Sequence, residues 1–178
     1  MSTSPTRAPS LAKDYLLPDL LAPNLKLVFC GTAPSRASAA AKAYYAKPGN
    51  KFWPTLHAVG ITPTRFAPQE YPALLPLGIG LTDLCKVHSG TDAELPEGAF
   101  DIAGFAVKLQ KFRPKVVAFT SKNAAQSYCG HAVDYGWHRG GPRGAPASMR
   151  FFVLPSPSGL ATRFFRLDIW QELANECR

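Results

Sequence analysis

No stretch of the chain approaches the run of apolar residues needed to cross a bilayer. The opening residues, Met1 to Pro9, are polar and carry Pro and Ser where a secretory signal would need an apolar core. Membrane insertion and export are therefore not expected. Residues 1–19 read as a flexible N-terminal arm ahead of a single domain over 20–178, long enough to bury a core. The four cysteines, Cys30, Cys85, Cys129 and Cys177, are widely separated, and none belongs to a Cys-x-x-Cys pair. That spacing argues against structural zinc and iron–sulfur clusters and fits unpaired thiols in a reducing cytoplasm, so no metal or cofactor is expected. Acidic residues are also scarce: 12 Asp and Glu stand against 20 Lys and Arg, for a net charge of +8 and a pI of about 9.5. The alternative to plain solubility is a polyanionic partner, with nucleic acid ahead of membrane because no basic amphipathic helix is evident.

What the chain does contain is an alternation of short apolar runs and helical patterns. Leu27 to Cys30 reads as a strand buried on both faces, stopped by Gly31 and by Pro34-Ser35. Residues 50–59 read as a helix with Asn50 as N-cap and Gly60 at its end, and Pro68 to Leu75 as a short helix or turn. Gly78 to Leu84 is β-like and interrupted by glycine. Residues 99–112 carry Ile102, Phe105, Ala106 and Leu109 at helical spacing, with Pro114 beyond. Lys115 to Thr120 is a second buried strand, and Ser121 is placed to cap the helix that follows. The Gly-, Pro- and Arg-rich stretch 130–148 reads as loop with room for short edge strands. Arg150 to Leu154 is a third apolar strand, and a last helix over 162–176 has Leu167, Trp170, Leu173, Ala174 and Cys177 on one stripe. Strand and helix in alternation predict a three-layer α/β/α sandwich on a mainly parallel sheet.

Two of these strands run into small, proline-interrupted turns, Gly31-Thr-Ala-Pro-Ser35 and Leu154-Pro-Ser-Pro-Ser-Gly-Leu160. In open α/β sheets ligands bind where the chain leaves the carboxyl ends of strands, so two such turns are expected to pinch a slot. With Asn50-Lys-Phe-Trp53 between them, and the lead-in Leu21-Ala-Pro-Asn-Leu-Lys-Leu-Val-Phe-Cys30, the set resembles the uracil-DNA glycosylase superfamily. It is most similar to the mismatch-specific branch (Mug and thymine-DNA glycosylase), with Gly-Ile-Asn-Pro-Gly, Asn-Arg-Phe-Trp and Asn-Pro-Ser-Gly-Leu in the corresponding places. The likeness runs in order from about Leu20 to the final helix.

The resemblance implies a monomeric enzyme of the cytoplasm and nucleoid that acts on DNA. It would swing a nucleotide out of the duplex and hydrolyse its N-glycosidic bond. It implies a base pocket built from Gly31, Thr32, Ala33, Ser38 and Tyr45, with Tyr45 stacking on the base and Ser38 near its O4. An ordinary half-buried tyrosine is the alternative at Tyr45. Leu160, carried by Ser158 and Gly159, corresponds to the residue that fills the gap left by the nucleotide. Arg163 and Arg166 are candidates for phosphate contacts or a solvated helix face. Lys122 and Asn123 lie at a strand-to-helix junction where backbone amides can hold a phosphate.

Two positions depart from the branch. Its first motif has an Asn that positions water, and here the residue is Ala33; its second has an Asn where this chain has Ser156. A methyl group orients nothing, so either the catalytic duty has moved or the protein binds damaged or abasic DNA without cutting it. Asp83, in Gly80-Leu-Thr-Asp-Leu84, is the candidate for the relocated group, with strand capping or pairing to Lys86 as the alternative. Ser156 is a candidate donor to the base's O2. His57 and His88 have no partner identifiable from sequence and receive no role. The expected activity is removal of uracil, or of another deaminated or adducted base, by water in base excision repair. No Lys in these motifs is placed to form a Schiff base.

Overall fold

Parallel strand pairing brings the functional loops to one edge of a sheet. The computed structural model describes residues 12–139 and 144–178. In chain order its elements are β1 (Leu27–Gly31), α1 (Arg36–Ala41), α2 (Phe52–Ala58), β2 (Ile79–Asp83), α3 (Ile102–Phe112), β3 (Val116–Phe119), α4 (Lys122–Cys129), β4 (Gly136–His138), β5 (Arg150–Val153) and α5 (Leu167–Cys177). Short 3-10 turns add Ala12–Asp14, Pro68–Leu77, Asp92–Glu94 and Gly159–Phe164. The strand order is β2-β1-β3-β5-β4. The first four strands are mutually parallel, and β4 runs antiparallel at the edge.

Successive side chains of a strand point to opposite faces, and each face meets a helical layer. Leu27 and Phe29 of β1, with Leu81, Ala118 and Phe152, pack on Phe52 and Leu56 of α2 and on Trp170 and Leu173 of α5. Cys30, Val117, Phe119, Phe151 and Val153 pack on Phe105 and Leu109 of α3 and on Ala125 and Tyr128 of α4. The result is the expected α/β/α sandwich. No helix among the described residues is long and apolar enough to cross a membrane.

Several expectations are corrected in detail. Of the arm expected over 1–19, residues 1–11 lie outside the described residues, and the rest packs on the domain rather than lying loose. Leu17 is buried, the Leu16 amide donates to the Lys86 carbonyl at 2.8 Å, and Leu20 exchanges both backbone hydrogen bonds with Leu81. A backbone that close leaves no room for a side chain at Gly80, where a Cβ would stand 2.5 Å from the Leu20 carbonyl oxygen. Asn50 does not serve as the formal cap of α2, which starts from Lys51, yet its Oδ1 accepts the Phe52 amide at 2.9 Å. The final helix begins at Leu167, not 162. Residues Gly159–Phe164 form a separate 3-10 turn capped by Ser158, because Phe165 is extended. In the stretch 130–148, read as loop with room for short edge strands, Gly136–His138 forms such a strand, the antiparallel β4, and residues 140–143 lie outside the described residues. The helix α1, with Ser35 accepting the Ser38 amide at its N-cap, had no periodic signal in so short and alanine-rich a segment.

Trp170 joins α5 to both the sheet and α2. It is fully buried, stacks on Phe29 at 6.0 Å, meets Phe52 edge-on at 6.1 Å, and donates its indole N–H to the Pro155 carbonyl at 3.2 Å. Trp170→Ala should lower the unfolding free energy by about 3–5 kcal/mol, read as a fall in the urea midpoint. A midpoint within error of wild type would show that α5 does not anchor the core.

Candidate active site

Register places the site. Gly31 is paired directly with Asp83, Cys30 with Phe119, and Phe119 with Val153. The loops that leave β1, β2, β3 and β5 therefore emerge side by side. They line a cleft of about 640 Å³, within the range of small-ligand sites.

Asp83 forms its floor. The residue is 4% exposed, and its neighbour has no side chain: a Cβ built on Gly31 would stand 2.6 Å from Asp83 Oδ1 and 3.4 Å from both Thr120 Oγ1 and Tyr45 Oη. Three polar groups from three distant parts of the chain thus converge around one backbone position. The second carboxylate oxygen, Oδ2, accepts no hydrogen bond from the protein. Burial pushes the carboxyl up to about 6, against the pull of Lys86, which lowers it, and with a further upward push from Asp19.

Lys86 is the buried cation that lowers the Asp83 carboxyl most. It sits 3% exposed between the rings of Tyr15 and Tyr44. Its Nζ donates to Asp19 Oδ1 at 2.8 Å and to the Tyr44 hydroxyl at 2.9 Å. Asp19 also holds Lys108 at 2.7 Å and accepts the Thr82 hydroxyl at 2.7 Å. Burial works against ionisation of Asp19, but the two lysines outweigh it, and its carboxyl lies below the ordinary value. Pairing of Asp83 with Lys86, one alternative for Asp83, is not seen: the lysine is committed to Asp19.

Tyr45 borders the cleft with its ring stacked on Phe52 at 3.9 Å and its hydroxyl 3.2 Å from Thr120 Oγ1. Its backbone is left-handed, φ 53°, a conformation that non-glycine residues adopt at a cost. Burial and the nearby Asp83 hold its phenol well above the usual range. Ser38 is buried and its Oγ accepts from the Ala46 amide and from the Ser35 hydroxyl, both at 3.0 Å. Its own proton is left to donate. Thr32 and Ala33 line the cleft as well, Ala33 with a methyl group and Thr32 with its hydroxyl directed to Asp92 Oδ1 at 2.6 Å.

On the far wall Ser156 and Ser158 face the same space, with Ser156 Oγ accepting the Ser158 amide at 3.2 Å. Leu160 lies at the mouth and is 72% exposed. Gly159 packs on the backbone of Gly49, and Arg163 lies on the exposed Gly159–Phe164 turn. Asn123 is set apart from the other candidates. It does not line the cleft, and its amide donates to Asp92 Oδ2 at 2.7 Å. Lys122 reaches Asp134 at 4.0 Å and covers the Tyr135 ring, and Arg166 is paired with Asp168. His57 lies on α2, and neither it nor His88 lines the cleft.

Sequence reasoning missed Thr120 and the strap Gly90–Glu94, both of which line the cleft. Thr120 was discoverable, since it stands just past the carboxyl end of a buried strand. The strap was not, because its hold depends on pairings from Asp92 to Thr32 and Asn123, from Glu94 to Arg36 at 3.1 Å, and from the Gly90 amide to the Pro34 carbonyl at 3.0 Å. No group of three His, Cys, Asp or Glu able to hold a metal ion is found among the described residues.

The raised Asp83 carboxyl fixes a pH dependence of stability. Between 3.8, its ordinary value, and about 6, the folded protein keeps a proton that the unfolded chain has released. Its contribution therefore falls as pH rises through that window and is fully unfavourable above it, by on the order of 3 kcal/mol. Asp83→Asn should be more stable than wild type above about pH 6, with the difference shrinking toward about pH 4. Urea midpoints of the two proteins across that range test it, and a difference independent of pH would exclude the shift.

Comparison with known proteins agrees with this geometry. A solution structure of a candidate uracil DNA glycosylase from Methanosarcina acetivorans superposes with a TM-score of 0.61 at 22% identity, covering 90% of this chain and 96% of the other. At that identity the likeness establishes the fold. The family model for the uracil DNA glycosylase superfamily matches residues 18–174. With nearly the whole domain inside that match and the four strand ends gathered around one cleft, the chain belongs to the uracil DNA glycosylase superfamily.

Proposed function

We propose that the protein is a monofunctional DNA glycosylase that excises uracil, with Asp83 as the catalytic group. The observation that carries this is the buried carboxylate at the cleft floor, with one oxygen beside Gly31 and the other accepting nothing from the protein. As the C1′–N1 bond breaks, its electron pair leaves with the base and positive charge develops on the sugar. An ionised Asp83 opposes that charge and takes the proton of the water that adds at C1′. The base, leaving as an anion, is held through O2 by Ser156 and nearby amides. Tyr45, backed by Phe52, offers a stacking face to the base, and Ser38 offers a proton toward its O4. Gly31, Thr32 and Ala33 form the adjoining wall. Leu160, on the Ser158-Gly159 turn, occupies the gap in the duplex, and Arg163 meets phosphate. Asn123 acts by holding Asp92, and with it the strap, rather than by touching substrate.

In this reading the enzyme stands nearest the mismatch-specific branch, with its water-positioning amide replaced by a carboxylate on the neighbouring strand. It works as a monomer on DNA in the cytoplasm, at the nucleoid, without a metal. Hypoxanthine or an etheno adduct is an alternative base, because Ala33 and Ser156 alter the pocket. Ala33, which brings no polar atom to the cleft, also favours a second reading, a reader of damaged or abasic DNA that does not cut.

Single-turnover cleavage of uracil-containing single strands and G·U duplexes, with protein in excess, separates the two. Cut product is expected from wild type, with a rate that falls as pH drops through about 6 and Asp83 takes up a proton. Asp83→Asn should lose about 10²–10⁴-fold in rate while keeping its affinity for the uracil duplex, and should lose the acidic limb. Tight binding without product would support the reader. Unchanged turnover in Asp83→Asn would move the chemistry to another residue.

A further inference from the structure

Exposed large apolar side chains are few among the described residues, and they are not scattered. Of the four, Val107 stands alone on α3, while Leu160, Phe164 and Leu167, exposed by 72%, 53% and 48%, fall within eight residues that start at the cleft mouth. Leu160 has a role in the reading above, as the residue that fills the emptied position. Phe164 has none. Its neighbour Phe165 turns inward against Trp170 at 6.3 Å, with the Lys51 ammonium over its ring, so the extended backbone there leaves Phe164 in solvent.

The segment that carries it is a braced strut. Ser158 caps its start by accepting the Leu160 amide at 3.2 Å. The Pro157 carbonyl takes the Lys51 amide at 2.8 Å. Thr162 Oγ1 donates to the Gly159 carbonyl at 2.9 Å and accepts Lys51 Nζ at 2.9 Å, and Gly159 rests on Gly49. The ring of Phe164 is itself half-covered, with the Arg163 guanidinium 4.6 Å from its centroid. A planar cation on one face leaves the other face for a second flat group.

Charge selects the occupant. From Gly159 to Leu167 there is no carboxylate, and although Arg166 is paired with Asp168 just beyond, Arg163 and Lys51 lie on or against the segment with no acidic partner. An aromatic ring paired with a guanidinium, on a turn that carries cations and no carboxylate, is the combination that stacks nucleic acid bases against a phosphate backbone. A second copy of this chain is disfavoured by its net charge of +8.

We propose that Phe164 is a second inserting side chain, stacking on a base next to the gap that Leu160 fills, so that a lesion in a duplex is bound more tightly than the same lesion in a single strand. The inference rests on the glycosylase reading for the placement of Leu160. Its test reads binding rather than cleavage. The probes are a duplex with a tetrahydrofuran abasic analogue opposite guanine, the same lesion in a single strand, and an intact duplex.

Phe164→Ala should weaken binding to the lesion duplex by about tenfold or more and leave the single strand unchanged, and Phe164→Trp should restore the duplex affinity. Equal loss on both lesion probes, or no loss on the duplex, would overturn the second insertion. So would a concentration-dependent dimer of wild type that Phe164→Ala abolishes. A wild-type protein that binds lesion and intact duplexes alike would instead sink the glycosylase reading itself. Retained lesion preference with no cleavage by wild type would sink only the chemistry assigned to Asp83.

Discussion

The rest of the structure depends on the contact between a carboxylate and a residue that has no side chain. Gly31 and Asp83 are direct neighbours in parallel strands, and the space a Cβ would take at Gly31 is filled by Asp83 Oδ1. An acid can lie flat against the end of a buried sheet only where its neighbour leaves that room. Burial then opposes its charge, and the opposition is partly relieved by Lys86, a cation equally buried. Lys86 in turn is paired in the interior with Asp19 at 2.8 Å. The polar groups inside this domain thus form a chain of dependencies that begins at the cleft floor and ends at the segment before the first strand. Buried charges persist when each has a partner and not otherwise.

How much of this was legible in the sequence follows from the range of each interaction. The strands could be placed because Val-Phe-Cys, Val-Val-Ala-Phe and Phe-Phe-Val are local apolar runs ended by Gly, Ser or Pro. The layers followed from alternation of strand and helix. The cleft followed from two turns at strand ends, whereas Asp83 was suggested by the resemblance to the superfamily and by no local pattern. What stayed hidden was set by contacts across tens of residues. The Asp92 carboxylate divides itself between Thr32 and Asn123, and nothing around residue 92 announces it. Asn123 consequently reads in sequence as a residue that faces a ligand and stands in the fold as one that holds a wall.

Local chemistry misled in one other place. Leu167, Trp170, Leu173 and Cys177 form a true helical stripe, and extending it backward to 162 was reasonable on periodicity. The two phenylalanines decide otherwise, because burying Phe165 on Trp170 requires an extended residue between the 3-10 turn and α5. That break makes Gly159–Phe164 an independent piece, tied sideways to Lys51 rather than continuing along the helix axis. The cleft and its mouth therefore share a support: the Asn50–Phe52 segment underlies the Tyr45 ring on one side and braces the 3-10 turn on the other.

The ion pairs of Asp19 have a consequence for how the domain is delimited. Residues ahead of the first strand are often trimmed as dispensable leaders, and a cut after Asp19 would leave every sheet strand and every cleft loop in place. It would also leave the side chains of Lys86 and Lys108 without their shared counter-ion. The upward push that Asp19 exerts on the acid at the cleft floor would go with it, leaving the two lysines to act on that carboxyl unopposed by Asp19. Such trimming would thus alter the electrostatics of the pocket while removing only Leu17 from its lining.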